Sequence, residues 1–230
     1  MVRVTPPDRL EKLLTAAADV FVAHGFHRTQ MDDIADRLGV SKGTLYRSVE
    51  SKEALLAAVL EYADNPEMLP KTGPLATRSL ADVSAIMRAR LSEAPVQLGL
   101  RSAASNPTTH HSIVEVGDEV ERFAAELFEM MSRHQTRIMV LESCVAELPM
   151  LASDWYAQGR YHLVDLWHQY LQNQRTHITT GSDLAVLSRT IVEVLALWAV
   201  KMSWDPSPRP YSVDLKNDCA AMVRSLVTGG

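Results

Sequence analysis

GVSKGTLYRSVESK, residues 39–52, sets glycines, lysines and an arginine around a single tyrosine, with Val40, Leu45 and Val49 as its aliphatic side chains. Gly39, Ser41 and Gly43 fit the G-x-S-x-G pattern of a hydrolase, in which the serine sits on a sharp turn between a strand and a helix. The residues just before it argue otherwise. IADRL, residues 34–38, has helical spacing and leads into a turn, so the hydrolase reading fails on context. A helix-turn-helix fits instead: Ala35 is small where two helices cross, Gly39 makes the turn, and Leu45 locks the second helix. An ordinary helical hairpin explains that apolar spacing equally well, but it leaves the polar face of Lys42, Gly43, Thr44, Tyr46 and Arg47 without a purpose.

Gly43 costs about 1 kcal/mol relative to alanine inside a helix. What a missing side chain offers is close approach by another backbone. First-turn N–H groups with Lys42 beside them suit a phosphate. Tyr46 suits a phosphate oxygen or a thymine methyl, and Arg47 suits the paired acceptors of guanine. Thr29 and Lys52, at the starts of the flanking helices, would bracket the duplex backbone from either side. Replacing Lys52 is then expected to lower the salt slope of binding by about 1, and replacing Arg47 to relax preference at one base pair.

Outward from this stretch the chain reads as helix. Leu10, Leu14, Ala17 and Phe21 recur at helical spacing behind Pro6 and Pro7 and stop near His24 and Gly25. Thr29 and Asp32 form a capping-box-like start to a short helix, and Ser41 and Ser51 can cap the next two. Between Asn65 and Pro74 three prolines and a glycine exclude a helix interior, which divides a helix-turn-helix domain, 1–62, from a larger helical domain, 63–230. Residues 80–93, 118–146, 149–176, 183–204 and 213–227 all carry helical patterns without strand alternation; 95–117 is ambiguous. The fold class is all-α.

TQMDDIADRLGVSKGTLYRSVESKEALLAAVL, residues 29–60, resembles the TetR family of bacterial transcriptional regulators, whose signature runs close to T-x-x-x-I-A-x-x-x-G-V-S-K-G-T-L-Y-x-x-F-x-S-K-E-x-L. The resemblance covers the N-terminal quarter of the chain. It implies DNA contacts from Thr29, Ser41, Lys42, Gly43, Thr44, Tyr46 and Lys52. It further implies a regulator, usually a repressor, that binds an operator and answers to an effector. Two positions depart from the pattern: Ser48 stands where histidine or tyrosine is frequent, and Val49 where phenylalanine usually packs. A lost contact at 48 and a reshaped core at 49 are expected.

The larger half offers no enzymatic motif. It has no H-E-x-x-H, no phosphate loop and no paired E-x-x-H, so no catalytic residue, cofactor or metal is expected. Asp165 with His168, and His110 with His111, read as solvated polar groups. TIVEVLALWAV, residues 190–200, is apolar nearly all round. With Leu163, Leu166, Trp167 and Tyr170 on the preceding helix, its Leu195 and Trp198 form a candidate homodimer interface, although packing inside one chain would produce the same pattern. Phe123, Leu127, Met131, Leu141 and Trp155 are core residues first. They are also candidate lining for a small, partly apolar effector whose binding moves the two DNA readers away from operator spacing.

Net charge is −5 over 230 residues, which gives no overall attraction to nucleic acid or an anionic membrane. The first 62 residues hold eight Lys or Arg against nine Asp or Glu. Modest affinity per monomer follows, with two recognition helices acting together on an inverted-repeat DNA operator. Cys144 and Cys219 lie far apart without a metal-site spacing. No apolar run has signal-peptide or membrane-span length, so a cytoplasmic protein with no membrane partner is expected. The competing reading is a helical small-molecule-binding or catalytic protein whose N-terminal hairpin does not read DNA.

Overall fold

Leu10, Leu14, Ala17 and Phe21 are all buried on helix α1, Pro7–Arg28, as their spacing requires. The computed structural model describes residues 7–70, 74–75, 77–93, 99–106, 112–178, 181, 183–205 and 214–229. Among them there are helices and turns, one isolated bridge and no strand, so the fold is all-α. Contacts gather the chain into two compact units, Met1–Arg90 with Thr136–Trp155, and Leu91–Gln135 with Tyr156–Gly230.

In the first unit α1 breaks at Gly25, which takes φ 75° and ψ −177°. A side chain there would face both the left-handed backbone and the Glu147 carboxylate, 2.7 Å from an added Cβ. That carboxylate accepts from the His27 backbone N–H at 2.6 Å. Helix α2, Met31–Leu38, has its capping box one residue later than the sequence suggests: Gln30 is the cap and Asp33 its partner, because Thr29 is turned inward. Ser41 caps α3, Lys42–Leu45, and Ser51 caps α4, Lys52–Tyr62, as expected. Past α4, the Leu75 N–H donates to the Ser48 carbonyl, and Val49 and Leu75 form the isolated bridge. The small residue at 49 thus packs beside a leucine from outside the helix-turn-helix. Helix α5, Leu80–Glu93, is fastened by Ser84 and Arg88 to Asp154. Among residues 136–155, Asp154 closes α9, Pro149–Asp154.

Helix α6, Gly99–Ser105, and the first turn of α7, Ile113–Arg133, lie in 95–117, where the sequence pattern is ambiguous. The span 118–146 is two helices. The backbone breaks at His134, φ −113° and ψ 25°, before α8, Gln135–Cys144. Likewise 149–176 is interrupted by a π-helical turn, Trp155–Arg160, ahead of α10, Tyr161–Asn173. In the second unit α7 buries Val120, Phe123, Leu127 and Met131 and packs on α12, Leu215–Thr228, and on α11, Leu184–Ala199. Glu193, the charge within the apolar run, pairs with Arg160 and Arg189, which accounts for it without a buried ion.

The proposed dimer residues Leu163, Leu166, Trp167, Tyr170 and Leu195 are buried within this unit. Their stripes are covered by the chain's own helices, so they do not offer a surface to a second copy; Trp198 is half-buried. Of the candidate effector residues, Phe123, Leu127 and Met131 lie in the second unit and Leu141 and Trp155 in the first. All five are buried. Phe123 meets Trp167 and Tyr170 edge-on, with ring centroids 6.4 and 5.3 Å away. His110 and His111 lie outside the described residues. Among those described, no cluster of His, Cys, Asp and Glu could hold a metal, and no helix is long and apolar enough to cross a membrane.

Candidate nucleic-acid interface

The turn between α2 and α3 is set by Gly39, whose φ of 71° is left-handed. Its N–H and that of Val40 return to the carbonyls of Asp36 and Ala35, at 3.0 and 2.9 Å, closing the helix end. Ala35 is buried at the crossing, and Leu45 and Val49 hold α3 from beneath. The helix is regular for four residues only, and a turn continues it: Ser48 and Val49 N–H groups both reach the Leu45 carbonyl. So short a helix has little macrodipole of its own, and any attraction for an anion comes from its amides and side chains.

With Leu45 and Val49 inside, the opposite side of α3 is necessarily the outer one. Ser41, Lys42, Gly43, Tyr46 and Arg47 are exposed and Thr44 is half-buried. The Ser41 hydroxyl accepts from the Thr44 N–H at 3.3 Å, and Arg47 donates to the Thr44 hydroxyl at 2.7 Å, which steadies the guanidinium across the face. Nothing lies within 4 Å of a Cβ built on Gly43. Tyr46 is 42% exposed. Lys42 donates to Asp32 at 2.8 Å, and that hydrogen bond raises its pKa, keeping the ammonium charged. Both partners are more than half exposed, so water screens the pair and a phosphate can exchange with Asp32.

Thr29 and Lys52 occupy different positions from the ones their spacing suggests. The Thr29 side chain is fully buried and its hydroxyl donates to the Gly25 carbonyl at 2.6 Å. The Lys52 ammonium donates to the carbonyls of Phe26, His27 and Thr29, at 2.7, 3.3 and 2.9 Å, and lies 4.5 Å from the centre of the Phe26 ring. Its three hydrogens are all engaged. Both residues tie the end of α1 to the start of α4, beneath the exposed face. Ser48 is buried as well, so its side chain makes no outward contact. Sequence spacing alone could not separate Lys52 from Lys42, since both follow a serine cap.

Helices α1 to α4, with the short second helix of the α2–α3 pair carrying an outward polar face, form a helix-turn-helix DNA-binding arrangement. Residues 13–59 match the family of bacterial regulatory proteins described as the tetR family. The N-terminal domain therefore belongs to the TetR family. It is 48% identical over 64 residues to the HTH-type transcriptional activator FasR of Mycolicibacterium smegmatis, which covers 27% of this chain and 29% of that protein. It is 50% identical over 48 residues to the HTH-type transcriptional regulator RutR of Escherichia coli, covering 21% of this chain and 23% of the other. The chain thus matches less than a third of the length of these relatives. Over nearly its whole length, 96% of this chain and 95% of the other, the fold is similar to the ketosteroid transcriptional regulator KstR2 of Mycobacterium tuberculosis, at 20% identity and a TM-score of 0.51.

Proposed function

We propose that this chain is a cytoplasmic transcriptional regulator that binds an inverted-repeat operator as a homodimer, represses from it, and is released by a small, partly apolar effector. The observation that carries the DNA-reading part is the outer side of α3: an open glycine, Lys42 and Arg47 on either side of it, and Tyr46 standing out of the surface. Lys42, Ser41 and the amides beside Gly43 meet phosphate, while Tyr46, Arg47 and Thr44 face the base edges. Thr29 and Lys52 support this face from below. The match to relatives named as regulators supports the reading, and FasR, named an activator, makes the direction of regulation a matter for transcription assays.

The dimer is proposed through the outer sides of α11 and α12. Val186 and Leu197 on α11, and Met222 and Leu226 on α12, are large apolar side chains left exposed by the single chain. The effector is proposed to lie among the apolar side chains of the second unit, near Phe123, Leu127 and Met131. There the buried indole N–H of Trp167 has no hydrogen-bond partner and would donate to an acceptor on the molecule. Selection of duplexes from a random pool tests the whole reading. Enrichment of an inverted repeat with half-sites about one helical turn apart, ~34 Å, is expected. Recovery of no repeat overturns it. Within the selected site, replacing Arg47 relaxes one base pair at a cost of about 1–3 kcal/mol, and replacing Lys42 lowers the salt slope by about 1.

A further inference from the structure

The chain beyond α4 returns to the recognition helix and holds its far end. The Leu75 N–H donates to the Ser48 carbonyl at 2.8 Å, and Leu75 bridges Val49 in parallel. Both side chains are inside, Val49 at 0% and Leu75 at 3% exposure. Thr77 donates its hydroxyl to the Glu50 carboxylate, just past the end of α3, and Arg78 pairs with Glu61 on α4 at 3.4 Å. Ser79 then starts α5, its N–H and hydroxyl bonded to Asp82 at 2.8 and 2.9 Å. All of these residues belong to the first unit.

Four residues of regular helix have no stability of their own, because the first hydrogen-bonded turn does not recover the entropy of ordering it. The pose of α3 must therefore come from what packs on it. Leu45 and Val49 anchor it to the domain core, and Leu75, itself buried, is bridged in parallel alongside Val49. The Leu75 N–H also satisfies one of the terminal carbonyls that a helix end leaves open. We propose that Leu75, with Thr77 and Arg78, is a strap that fixes the pose of α3, so that Leu75 is a positioning residue for DNA reading although it lies 26 residues beyond Val49 in the chain.

The proposal rests on the DNA-reading function, and its test separates the two. In the full chain, Leu75→Ala, Val49→Phe and the double variant are compared with wild type. Measured are binding to the duplex that wild type selects, binding to a random duplex, thermal unfolding, and amide hydrogen exchange over residues 42–49. Leu75→Ala is expected to weaken the selected duplex by about tenfold and to leave the random duplex within about twofold, since the phosphate-facing groups are unchanged. Exchange at Tyr46, Arg47 and Ser48 should accelerate. Val49→Phe alone collides with Leu75 and should also lose selectivity. The double variant, in which the larger ring fills the space Leu75 vacated, should recover most of it. Selectivity and exchange unchanged in Leu75→Ala overturn the strap, as does a double variant no better than either single one. Should Leu75→Ala not fold, Thr77→Val removes only the bond to Glu50 and carries the same comparison. If wild type selects no duplex, the DNA reading has failed, and the exchange measurement still decides whether the strap holds α3.

Discussion

Lys52, expected at the duplex backbone, has its ammonium turned onto the chain's own backbone. Its ammonium donates to three backbone carbonyls, those of Phe26 and His27 in the last turn of α1 and of Thr29 just past it. Lys52→Met keeps the aliphatic stem and removes the donors. It is expected to lower stability by about 1–3 kcal/mol, read as a reduced urea midpoint, before any effect on the salt dependence of DNA binding. Unchanged stability with a reduced salt slope would return Lys52 to the interface. The cysteines give a second check at this scale. Burial pushes the Cys144 thiol up to about 12 and raises that of Cys219, and the thiolate is the reactive form. Neither should be alkylated by iodoacetamide at neutral pH in the folded protein, and both should react once it is unfolded. Rapid labelling of the native chain would contradict the packing around them.

Among the elements, α8 shows what periodicity cannot supply. Its first-turn amides at Thr136 and Arg137 are capped by the Asp64 carboxylate, at 3.1 and 3.0 Å, and the Arg137 guanidinium, itself buried, returns to the Leu60 carbonyl at 2.7 Å. The cap comes from more than 70 residues away in the chain, so no local motif announces it. Asp64→Ala should cost about 1–2 kcal/mol in chemical denaturation, as loss of a helix cap does. An unchanged midpoint would show that water replaces the carboxylate. The helices whose caps are local, α3 and α4, were legible as soon as Ser41 and Ser51 were seen before their apolar runs. The breaks at His134 and in the turn from Trp155 were not, because the residues around them keep a helical apolar pattern on both sides.

For the whole molecule, the apolar stripes of α10 and α11 were legible and their partner was not. A buried stripe looks the same in sequence whether its own chain or a second copy covers it. Here the chain covers Leu195 completely, while Leu197, two residues on, is 42% exposed. Leu197→Glu should therefore yield a folded monomer by sedimentation, whereas Leu195→Glu should prevent folding, the cost of an unpaired charge in a core. A dimer that survives Leu197→Glu would place the interface elsewhere.

The central claim, that the outer side of α3 seats on a duplex, is tested most directly at Gly43. Beyond its chain neighbours and its own turn of helix, no atom of the protein lies within 4 Å of a Cβ added there, and the backbone suits an L residue. In the free protein Gly43→Ala should be neutral or stabilising, by ~0.5–1 kcal/mol. The measurement is a titration of the selected duplex with wild type and Gly43→Ala, alongside thermal unfolding of each. Predicted is an equal or higher melting temperature with affinity reduced by about tenfold or more, because the added methyl meets the DNA backbone. Equal affinity, or a loss of affinity that merely follows a loss of stability, would contradict the account.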